Sequence, residues 1–431
     1  MSDRYVVAGN PVAHSRSPQI HAHFARRTGQ DIEYRKLLVT KGGFASAARE
    51  FFDSGGKGMN ITLPFKVDAF DFADSRTPRA QLAGAVNTLV PLDDGTLLGD
   101  NTDGAGLVRD LRHNLGWEIA GQRLLLLGAG GAVRGVLGPL LAEQPRSVMI
   151  ANRSPDRAGE LARAFAGRGS VQGCGLAGLD GEYDLLVNGT SASLAGEQLT
   201  LAATLLARNS RCYDMVYAER TTPFIEWASA AGAIAAADGL GMLVEQAAES
   251  FLLWRGVRPQ TGELIARLRA PVSIRQAQGN ADIARATSLF REYQQALGVD
   301  LCFQDFEREL ESLPGAYTPP SGALLLAERA GQVLGCVAMR PLADGVCEMK
   351  RLYIVPDARG AGIGRALALA VIEQARRARY RFMRLDTLGR LRAAMTLYAS
   401  LGFKVRDPYY PNLLDGVVYW EKDLRNREQD A

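Results

Sequence analysis

The sequence predicts an α/β protein followed by a separate α+β module, on the basis of two patterns in the order of its elements. Over the first 270 residues, short apolar runs alternate with longer amphipathic segments, which is typical of βαβ units with mainly parallel sheets. After Pro271 the order changes to helices followed by consecutive strands, which predicts a mixed module of about 160 residues. The strands expected before Pro271 are Tyr5–Gly9, Tyr34–Val39, Gly58–Ile61, Leu124–Leu127, Val148–Ala151, Leu185–Val187 and Cys212–Met215.

The α+β module is expected to begin behind a closing helix at Thr261–Arg269, which Pro271 ends. Residues 317–322 are interpreted as a loop inside the module. Its expected elements, in order, are helices Asn280–Leu297 and Cys302–Leu313, strands Leu324–Glu328, Val333–Met339 and Gly345–Val355, helix Gly362–Ala378, strand Phe382–Asp386, helix Leu391–Ser400 and strand Val417–Lys422.

Composition bounds the function. The chain of 431 residues corresponds to two to four domains at roughly 100–200 residues each. A net charge of +3 is too small to argue for nucleic acid or a membrane surface as partner. No apolar run approaches the ~20 residues of a membrane span, and Met1–Arg4 leads straight into a strand rather than a signal peptide. Five scattered cysteines fit a reduced cytoplasm, and neither they nor the four histidines suggest a metal set.

A glycine-rich turn follows the apolar run Leu124–Leu127. The turn, Gly128-Ala129-Gly130-Gly131-Ala132, opens a helix, so that free N–H groups and the helix dipole can face a pyrophosphate. Val133 occupies the third glycine position of G-x-G-x-x-G, and such turns also have purely structural uses.

The end of the next strand indicates which dinucleotide binds. An NAD site would carry an Asp or Glu for the ribose 2′-hydroxyl, whereas this strand ends in Asn152-Arg153-Ser154, with Arg157 one turn later. Guanidinium groups suit a 2′-phosphate, so we expect NADP. The alternative is that these arginines are simply exposed at a helix start.

Several polar segments precede this turn, and each one alone reads as an ordinary loop. They are Gly9–Pro18, Asn60–Lys66 with Pro64 expected at a helix N1 position, Ala85–Thr88 and Gly99–Gly104. Together, in order, and with Gly55–Gly58, Tyr213–Tyr217 and Asp238–Ala247, they closely resemble the shikimate dehydrogenase family over about Tyr5 to Val257. One departure is Asn188-Gly189-Thr190, where the family often has Asn-Ala-Thr; both residues are small, so we expect little effect.

The resemblance implies a two-lobed protein. A substrate-binding and catalytic lobe would comprise residues 1–103 and 240–270, and a Rossmann NADP lobe residues 104–239. It implies Lys66 and Asp103 as the catalytic pair. Substrate-binding residues would be Ser15, Ser17 and Tyr217 at the shikimate carboxylate and Thr62, Asn87 and Gln246 at the ring hydroxyls. Cofactor-binding residues would be Gly128, Ala129, Gly130, Gly131, Ala132, Asn152, Arg153, Ser154 and Arg157, with Met215 and Gly239 on the nicotinamide side.

The chemistry agrees with these residue types. Hydride transfer needs a nicotinamide, and the hydroxyl proton of the oxidised carbon needs a positioned acceptor. A lysine is a poor acceptor unless its neighbours change its pKa or share the proton, so the sequence leaves open which of Lys66 and Asp103 takes it.

A second glycine-rich turn lies in the α+β module. Arg359-Gly360-Ala361-Gly362-Ile363-Gly364 follows a strand, opens a helix and, without a Gly-Lys-Ser/Thr ending, is not a P-loop. With the segment Leu397–Phe403 it resembles the GNAT acetyltransferase family over about Ile274–Leu424, within a domain placed at 272–431. The resemblance implies acetyl-CoA binding by Leu352, Ile354, Arg359, Gly360, Gly362 and Gly364, with Tyr398 as the acid for the thiolate and Glu348 as a candidate base. Glu348 has an alternative role, as an ion-pair partner of Lys350 or Arg351.

We therefore expect a cytoplasmic, bifunctional enzyme of aromatic amino-acid (chorismate) biosynthesis. It would reduce 3-dehydroshikimate with NADPH and carry an acetyltransferase-like domain whose acceptor the sequence does not reveal. Its partners would be small molecules, neither nucleic acid nor membrane, and a homodimer is compatible with this interpretation. Two alternatives stay open: a quinate/shikimate dehydrogenase, and a dehydrogenase regulated by a non-catalytic acyl-CoA-binding module.

Overall fold

The computed structural model describes residues 2–13, 15–190, 192, 199–218, 220–299, 305–359, 361–412 and 414–426. By its internal contacts, the chain divides into two compact units, residues 1–269 and 270–431. None of the described helices is long and apolar enough to cross a bilayer.

The first unit begins with a mixed sheet in the order β2-β1-β3-β5-β6-β4. Its strands are β1 Asp3–Gly9, β2 Ile32–Leu38, β3 Gly58–Ile61, β4 Ser75–Arg76, β5 Thr88–Pro91 and β6 Leu97–Asp100. Its helices are α1 Ser17–Thr28, α2 Phe44–Asp53, α3 Lys66–Phe72 and α4 Pro78–Ala83. Strands β1, β3 and β6 run in one direction and β5 in the other, so the ends of the first three and the start of β5 share one edge of the sheet.

The second sheet of this unit is parallel throughout, in the order β12-β11-β10-β7-β8-β9. Its strands are β7 Arg123–Leu127, β8 Ser147–Asn152, β9 Val171–Gly175, β10 Tyr183–Asn188, β11 Leu206–Asp214 and β12 Ala235–Asp238. The further helices among the described residues of this unit are α5 Asp103–Arg109, α6 Gly131–Ala142, α7 Pro155–Phe165, α8 Pro223–Ala230, α9 Leu240–Arg255 and α10 Gly262–Arg269. The strand order changes direction at β7, which is where doubly wound sheets bind ligands.

The second unit is a seven-stranded mixed sheet in the order β13-β14-β15-β16-β17-β19-β18. Its strands are β13 Ser273–Gln276, β14 Ala323–Arg329, β15 Gln332–Ala343, β16 Val346–Ile354, β17 Phe382–Leu388, β18 Lys404–Arg406 and β19 Val417–Asp423. Its helices are α11 Gly279–Leu297, α12 Phe306–Glu311, α13 Ile363–Arg377 and α14 Arg392–Ser400.

Two sequence predictions of secondary structure were wrong. The second unit was expected to begin with helices, but β13 comes first and pairs antiparallel with β14. This strand has only four residues, too few for an alternation of apolar and polar side chains to be recognised in the sequence. Pro64 was expected inside the first turn of a helix, but that helix begins at Lys66, and Pro64 lies in the preceding turn after a cis peptide bond. Residues 302–304 of the helix expected at 302–313 lie outside the described residues, and α12 covers part of the remainder.

Candidate functional site

The predicted catalytic pair is in contact. Lys66 is the first residue of α3 and Asp103 is the first residue of α5, and both elements start at the shared edge of the first sheet. The Lys66 Nζ donates to Asp103 Oδ2 at 2.5 Å. Their side chains are 27% and 14% exposed, respectively, so the pair is partly dry and can still be reached by a ligand.

Asn87 fixes the carboxylate of this pair from its other side. Its Nδ2 donates to Asp103 Oδ1 at 2.8 Å and to Thr102 Oγ1 at 3.0 Å. Thr102 in turn donates to Gln246 Oε1 at 3.3 Å, which brings α9 to the same place. A Cβ on Gly106 would lie 2.7 Å from the Gln246 backbone nitrogen, so the close approach of α5 and α9 requires glycine there. Two predicted ring-hydroxyl ligands, Asn87 and Gln246, thus lie beside the catalytic pair.

The two predicted carboxylate-binding serines are adjacent to each other. Ser17 begins α1, is 7% exposed, and accepts a hydrogen bond from Ser15 Oγ at 3.2 Å. The loop that carries them follows β1, and Thr62 follows the neighbouring strand β3, donating its backbone N–H to Ala8 O at 2.9 Å. Tyr217 lies near this loop, because the guanidinium carbon of Arg16, the residue between the two serines, is 5.5 Å from the centre of the tyrosine ring.

A buried set of polar residues that sequence reasoning did not single out supports this arrangement. Asn60 Nδ2 donates to Thr88 Oγ1 at 3.1 Å and to Ser250 Oγ at 3.0 Å, and Thr88 donates to Asn87 Oδ1 at 2.9 Å. All are buried. The available signal was the polar side chain of Asn60 inside the predicted strand Gly58–Ile61, because a buried polar group needs a partner.

The glycine-rich turn has the conformation that an anion site needs. Gly128 adopts φ +104°, which strongly favours glycine, and its N–H donates to Ala151 O at 2.8 Å. A Cβ at Gly130 or Gly131 would meet no heavy atom within 4 Å, so the backbone there is open to a ligand. Gly130 caps α6 without a side-chain hydrogen bond, which leaves the first N–H groups of the helix available. Ala129 lies within this turn, and Ala132 lies in the first turn of α6.

The residues predicted to read the 2′-phosphate lie beside this turn. Asn152 ends β8, the neighbour of β7, and its Nδ2 donates to Ser154 O at 3.1 Å. Ser154 is the N-cap of α7, and Arg157 lies in its first turn. Arg153 and Arg157 are both exposed.

Met215 and Gly239 meet at the ends of β11 and β12. A Cβ on Gly239 would lie 2.2 Å from Met215 O, so this contact requires glycine. The loop after β11 is held by buried Asp214, which accepts from Asn188 Nδ2 at 3.1 Å and Thr222 Oγ1 at 2.6 Å. Sequence reasoning did not identify Asp214 in this role.

Gly189, the departure from the family pattern that was expected to have little effect, packs closely against its neighbours. An added Cβ would lie 2.5 Å from Val133 Cγ2 and 3.2 Å from Met215 Sδ. Val133 is the residue that departs from the glycine motif, and it is buried against this position. The two departures from the common pattern therefore fit each other.

In the second unit, a cavity opens where two strands diverge. Strands β16 and β17 pair only over Val346–Glu348 and Phe382–Arg384, and Arg351 interrupts β16 with φ +56°. The cavity is open to solvent on one side. Its walls include Leu352, which was predicted to bind acetyl-CoA, and Tyr398, which was predicted to protonate the departing thiolate. They also include Asp386, which the sequence analysis did not select. Burial raises the pKa of the Tyr398 hydroxyl, so this group stays protonated at neutral pH.

Glu348 is held in an ion pair and does not line this cavity. It is 1% exposed, 2.8 Å from Arg340 Nη2, and accepts from Tyr409 Oη at 2.8 Å. Of the partners that the sequence suggested, Lys350 lies 4.0 Å away and 3.5 Å from Asp386. Arg351 was the wrong choice, because it pairs with Glu309 through Nε at 3.0 Å.

The predicted coenzyme A turn lies between β16 and α13. Gly362 adopts φ +70° and caps α13 without a side-chain hydrogen bond, and a Cβ there would meet no neighbour within 4 Å. Gly364 is in the first turn of α13. Arg359 is exposed, and its Nε donates to Ile354 O at 3.0 Å, so this carbonyl already has a partner. Gly360 lies outside the described residues.

Comparison with known proteins agrees with the two-unit division. Family profiles match the shikimate dehydrogenase substrate binding domain at residues 7–89, shikimate/quinate 5-dehydrogenase at 110–196 and the shikimate 5′-dehydrogenase C-terminal domain at 239–269. A fourth profile, the acetyltransferase (GNAT) family, matches residues 285–403.

Relatives and solved structures match the first unit over nearly their whole length. An NADP(+) shikimate dehydrogenase of Alkalilimnicola ehrlichii is 57% identical over 269 residues, covering 62% of this chain and 99% of the relative. The crystal structure of an Ael1 enzyme from Pseudomonas putida is 44% identical, with a TM-score of 0.60 over 63% of this chain and 99% of that one. Shikimate 5-dehydrogenase from Thermus thermophilus, solved with NADP(H) and shikimate, is 32% identical, with a TM-score of 0.54 over 61% and 97%.

The identity to these proteins, and the share of them that the match covers, settle the classification. The chain belongs to the shikimate dehydrogenase family and carries a GNAT-family domain behind the dehydrogenase.

Proposed function

We propose that the first unit catalyses the reversible, NADPH-dependent reduction of 3-dehydroshikimate to shikimate. The observation that carries this proposal is the 2.5 Å contact between Lys66 and Asp103 at a sheet edge that also presents Ser15, Ser17 and Asn87. The names of the relatives support the substrate and the cofactor. The proposed substrate lobe comprises residues 1–103 and 240–270, and the proposed NADP lobe comprises 104–239.

The residues divide the work by their chemistry. Ser15, Ser17 and Tyr217 bind the carboxylate of the substrate, while Thr62, Asn87 and Gln246 bind its ring hydroxyls. Because a hydroxyl-binding site rejects analogues that leave its buried polar groups unpaired, this set selects a polyhydroxylated acid.

Lys66 and Asp103 handle the proton. As shikimate is oxidised, its hydroxyl proton passes to the Lys66–Asp103 pair, which acts as a unit because its atoms share one hydrogen bond. NADP supplies the hydride acceptor when bound. Its pyrophosphate is held by the backbone of residues 128–132 and its 2′-phosphate by Arg153 and Arg157, helped by Asn152 and Ser154. Met215 and Gly239 contact the nicotinamide side.

A spectrophotometric assay tests the proposal. Shikimate should drive NADPH formation, with NAD a poorer acceptor, and quinate run in parallel decides between shikimate and broader quinate/shikimate specificity. Lys66→Ala should lower kcat by about 10²–10⁴, with a smaller effect on KM. The exposed Lys57→Ala, elsewhere in the same unit, serves as control. A Lys66→Ala enzyme with near-normal kcat would remove this residue from the mechanism.

For the second unit we propose acetyl-CoA binding, because β16 and β17 diverge to open a cavity beside a glycine-rich helix start. Leu352 and Ile354 would meet the acyl-pantetheine arm, Arg359, Gly360, Gly362 and Gly364 the phosphates, and Tyr398 the departing thiolate. Because Asp386 lines the cavity and Glu348 does not, we propose that Asp386 takes the proton from an acceptor amine. Calorimetric titration with acetyl-CoA tests binding.

Two activities of this unit can then be separated. Acetyl transfer predicts release of CoA in the presence of an amine, whereas a regulatory module predicts that acetyl-CoA changes the dehydrogenase rate without forming acetylated product.

For the whole enzyme we propose a cytoplasmic location and a role in chorismate biosynthesis, acting on small molecules. A homodimer is the assembly to test by light scattering.

A further inference from the structure

The short loop that carries Asp103 begins at a buried carboxylate, that of Asp100 at the end of β6. Asp100 Oδ1 accepts from the backbone N–H of Asn101 at 2.8 Å. The Asn101 side chain then accepts from the backbone N–H of Asp103 at 3.2 Å and donates to Ala85 O at 3.1 Å. Side-chain hydrogen bonds therefore fix the path of the backbone from Asp100 to Asp103.

Arg79, in the first turn of α4, holds the Asp100 carboxylate with both arms of its guanidinium. Its Nε donates to Asp100 Oδ1 at 2.7 Å, and its Nη2 donates to Oδ2. Thr77, the N-cap of α4, donates to the same carboxylate. The Asp100 side chain is only 1% exposed, and a carboxylate in such a place needs a charged, hydrogen-bonded partner. The forked geometry of arginine supplies one and also sets the plane of the carboxylate.

Arg79 faces a second element of the proposed site. Its Nη1 lies 3.8 Å from Glu249 Oε2 on α9, the helix that carries Gln246. Gln246 accepts from Thr102, which lies in the loop that starts at Asp100. One guanidinium thus contacts both the strand end before Asp103 and the helix that carries a proposed ligand of the ring hydroxyls.

We propose that Arg79 is a positioning residue that orients Asp103 toward Lys66 by holding Asp100. This inference rests on the proposed function of the first unit. Without the guanidinium, the Asp100 carboxylate would lose its charged partner and its fixed plane, and the backbone that leads to Asp103 would lose its anchor. A small displacement of a reacting group lowers the rate of the chemical step strongly, even when the residue that causes it lies away from the chemistry.

The test replaces the guanidinium and keeps the length of the side chain. Arg79→Met should lower kcat for shikimate oxidation about 10- to 100-fold, with KM for NADP⁺ unchanged. Rates are expressed per NADPH-binding site, counted by fluorescence titration, so that unfolded protein does not enter kcat. Arg79→Lys keeps the charge but not the fork, so its kcat should lie between those of Arg79→Met and the wild type.

Arg123→Met is the matched control, because Arg123 forms the same kind of forked pair in the same unit. Its Nε and Nη2 donate to the two oxygens of Asp184 at 3.0 and 2.9 Å. Arg123 starts β7, at the opposite end of this strand from the glycine-rich turn. Losing this pair should lower stability and leave kcat per binding site at the wild-type value.

The possible outcomes separate positioning from a general loss of rigidity. A wild-type kcat per binding site in Arg79→Met, or an equal fall in Arg123→Met, would overturn the inference. If Arg79→Met does not fold, Arg79→Lys decides: a kcat at least about 3-fold below wild type supports the inference, and an unchanged kcat overturns it. A wild-type protein that fails to oxidise shikimate would instead refute the proposed function.

Discussion

Replacing Gly189 by alanine tests whether the glycine-rich turn of the proposed NADP lobe depends on the packing of Gly189 against Val133. The new Cβ would lie 2.5 Å from Val133 Cγ2, a separation that two non-bonded carbons do not tolerate. Val133 is 1% exposed in the first turn of α6 and is surrounded by the core, so it cannot swing away freely. Either the valine leaves its rotamer or α6 shifts, and α6 carries the N–H groups that we propose bind the pyrophosphate.

The magnitude follows from core overpacking, which costs about 1–3 kcal/mol. For a unit of this size each kcal/mol moves Tm by roughly 2–4 °C, so Gly189→Ala should lower the Tm of the dehydrogenase unit by about 2–12 °C. Val133→Ala alone should also destabilise, because it removes buried methyl groups. Together the two substitutions relieve the clash, so the double variant should be more stable than the sum of the single effects by at least about 1 kcal/mol.

Urea unfolding of the four proteins gives the coupling energy, and titration with NADP⁺ reports the geometry of the turn. Gly189→Ala should weaken NADP⁺ binding, and adding Val133→Ala should restore part of it. Gly167→Ala is a suitable control, since a Cβ there meets nothing within 4 Å. Additive stability effects within about 0.5 kcal/mol would show that the clash is absorbed elsewhere, and the compensating-pair explanation would be lost.

Three further predictions concern charge. Arg153→Ala should raise KM for NADP⁺ about 10- to 100-fold through the loss of charge-assisted hydrogen bonds and leave KM for NAD⁺ nearly unchanged in steady-state kinetics; equal changes for both would contradict the 2′-phosphate role. Burial lowers the pKa of His21 to about 3, so below pH 6.5 the unfolded chain binds a proton that the folded chain does not, and the free energy of unfolding falls until about pH 3. Between pH 7 and pH 5, the free energy of unfolding of His21→Phe, measured by denaturant titration, should therefore fall by about 2 kcal/mol less than that of the wild type. An identical fall in both proteins would refute this. Glu309→Gln should destabilise the second unit by about 2–4 kcal/mol because Arg351, 3% exposed, loses its carboxylate, whereas Glu307→Gln in an exposed pair should cost less than about 1 kcal/mol by the same unfolding assay.

Many strands and helices of both units were predictable from local sequence patterns, namely short apolar runs followed by glycine-rich turns. Leu124–Leu127 is apolar throughout, as a strand covered on both faces must be, and the glycines after it marked the turn. The ion pair at the catalytic site was accessible only through the family resemblance, since residues 37 apart carry no spacing signal.

What the sequence could not reveal depends on neighbours from distant elements. The position of Glu348 on its strand suggested a general base, but its carboxylate forms an ion pair with Arg340 on the adjacent strand. Gly189 looks interchangeable with alanine until Val133 is placed beside it. Asn60, Thr88 and Ser250 join three elements through side-chain hydrogen bonds, and no periodicity records such a meeting.

The missing side chain at Gly106 sets a dimension of the enzyme. Because Gly106 has no side chain, the backbones of α5 and α9 are in direct contact at this point. This contact sets the distance over which Thr102 donates to the Gln246 side chain. Any larger residue at Gly106 would push α5 and α9 apart and would lengthen the hydrogen bond between Thr102 and Gln246. The spacing of these two helices is therefore set by a residue that has no side chain of its own.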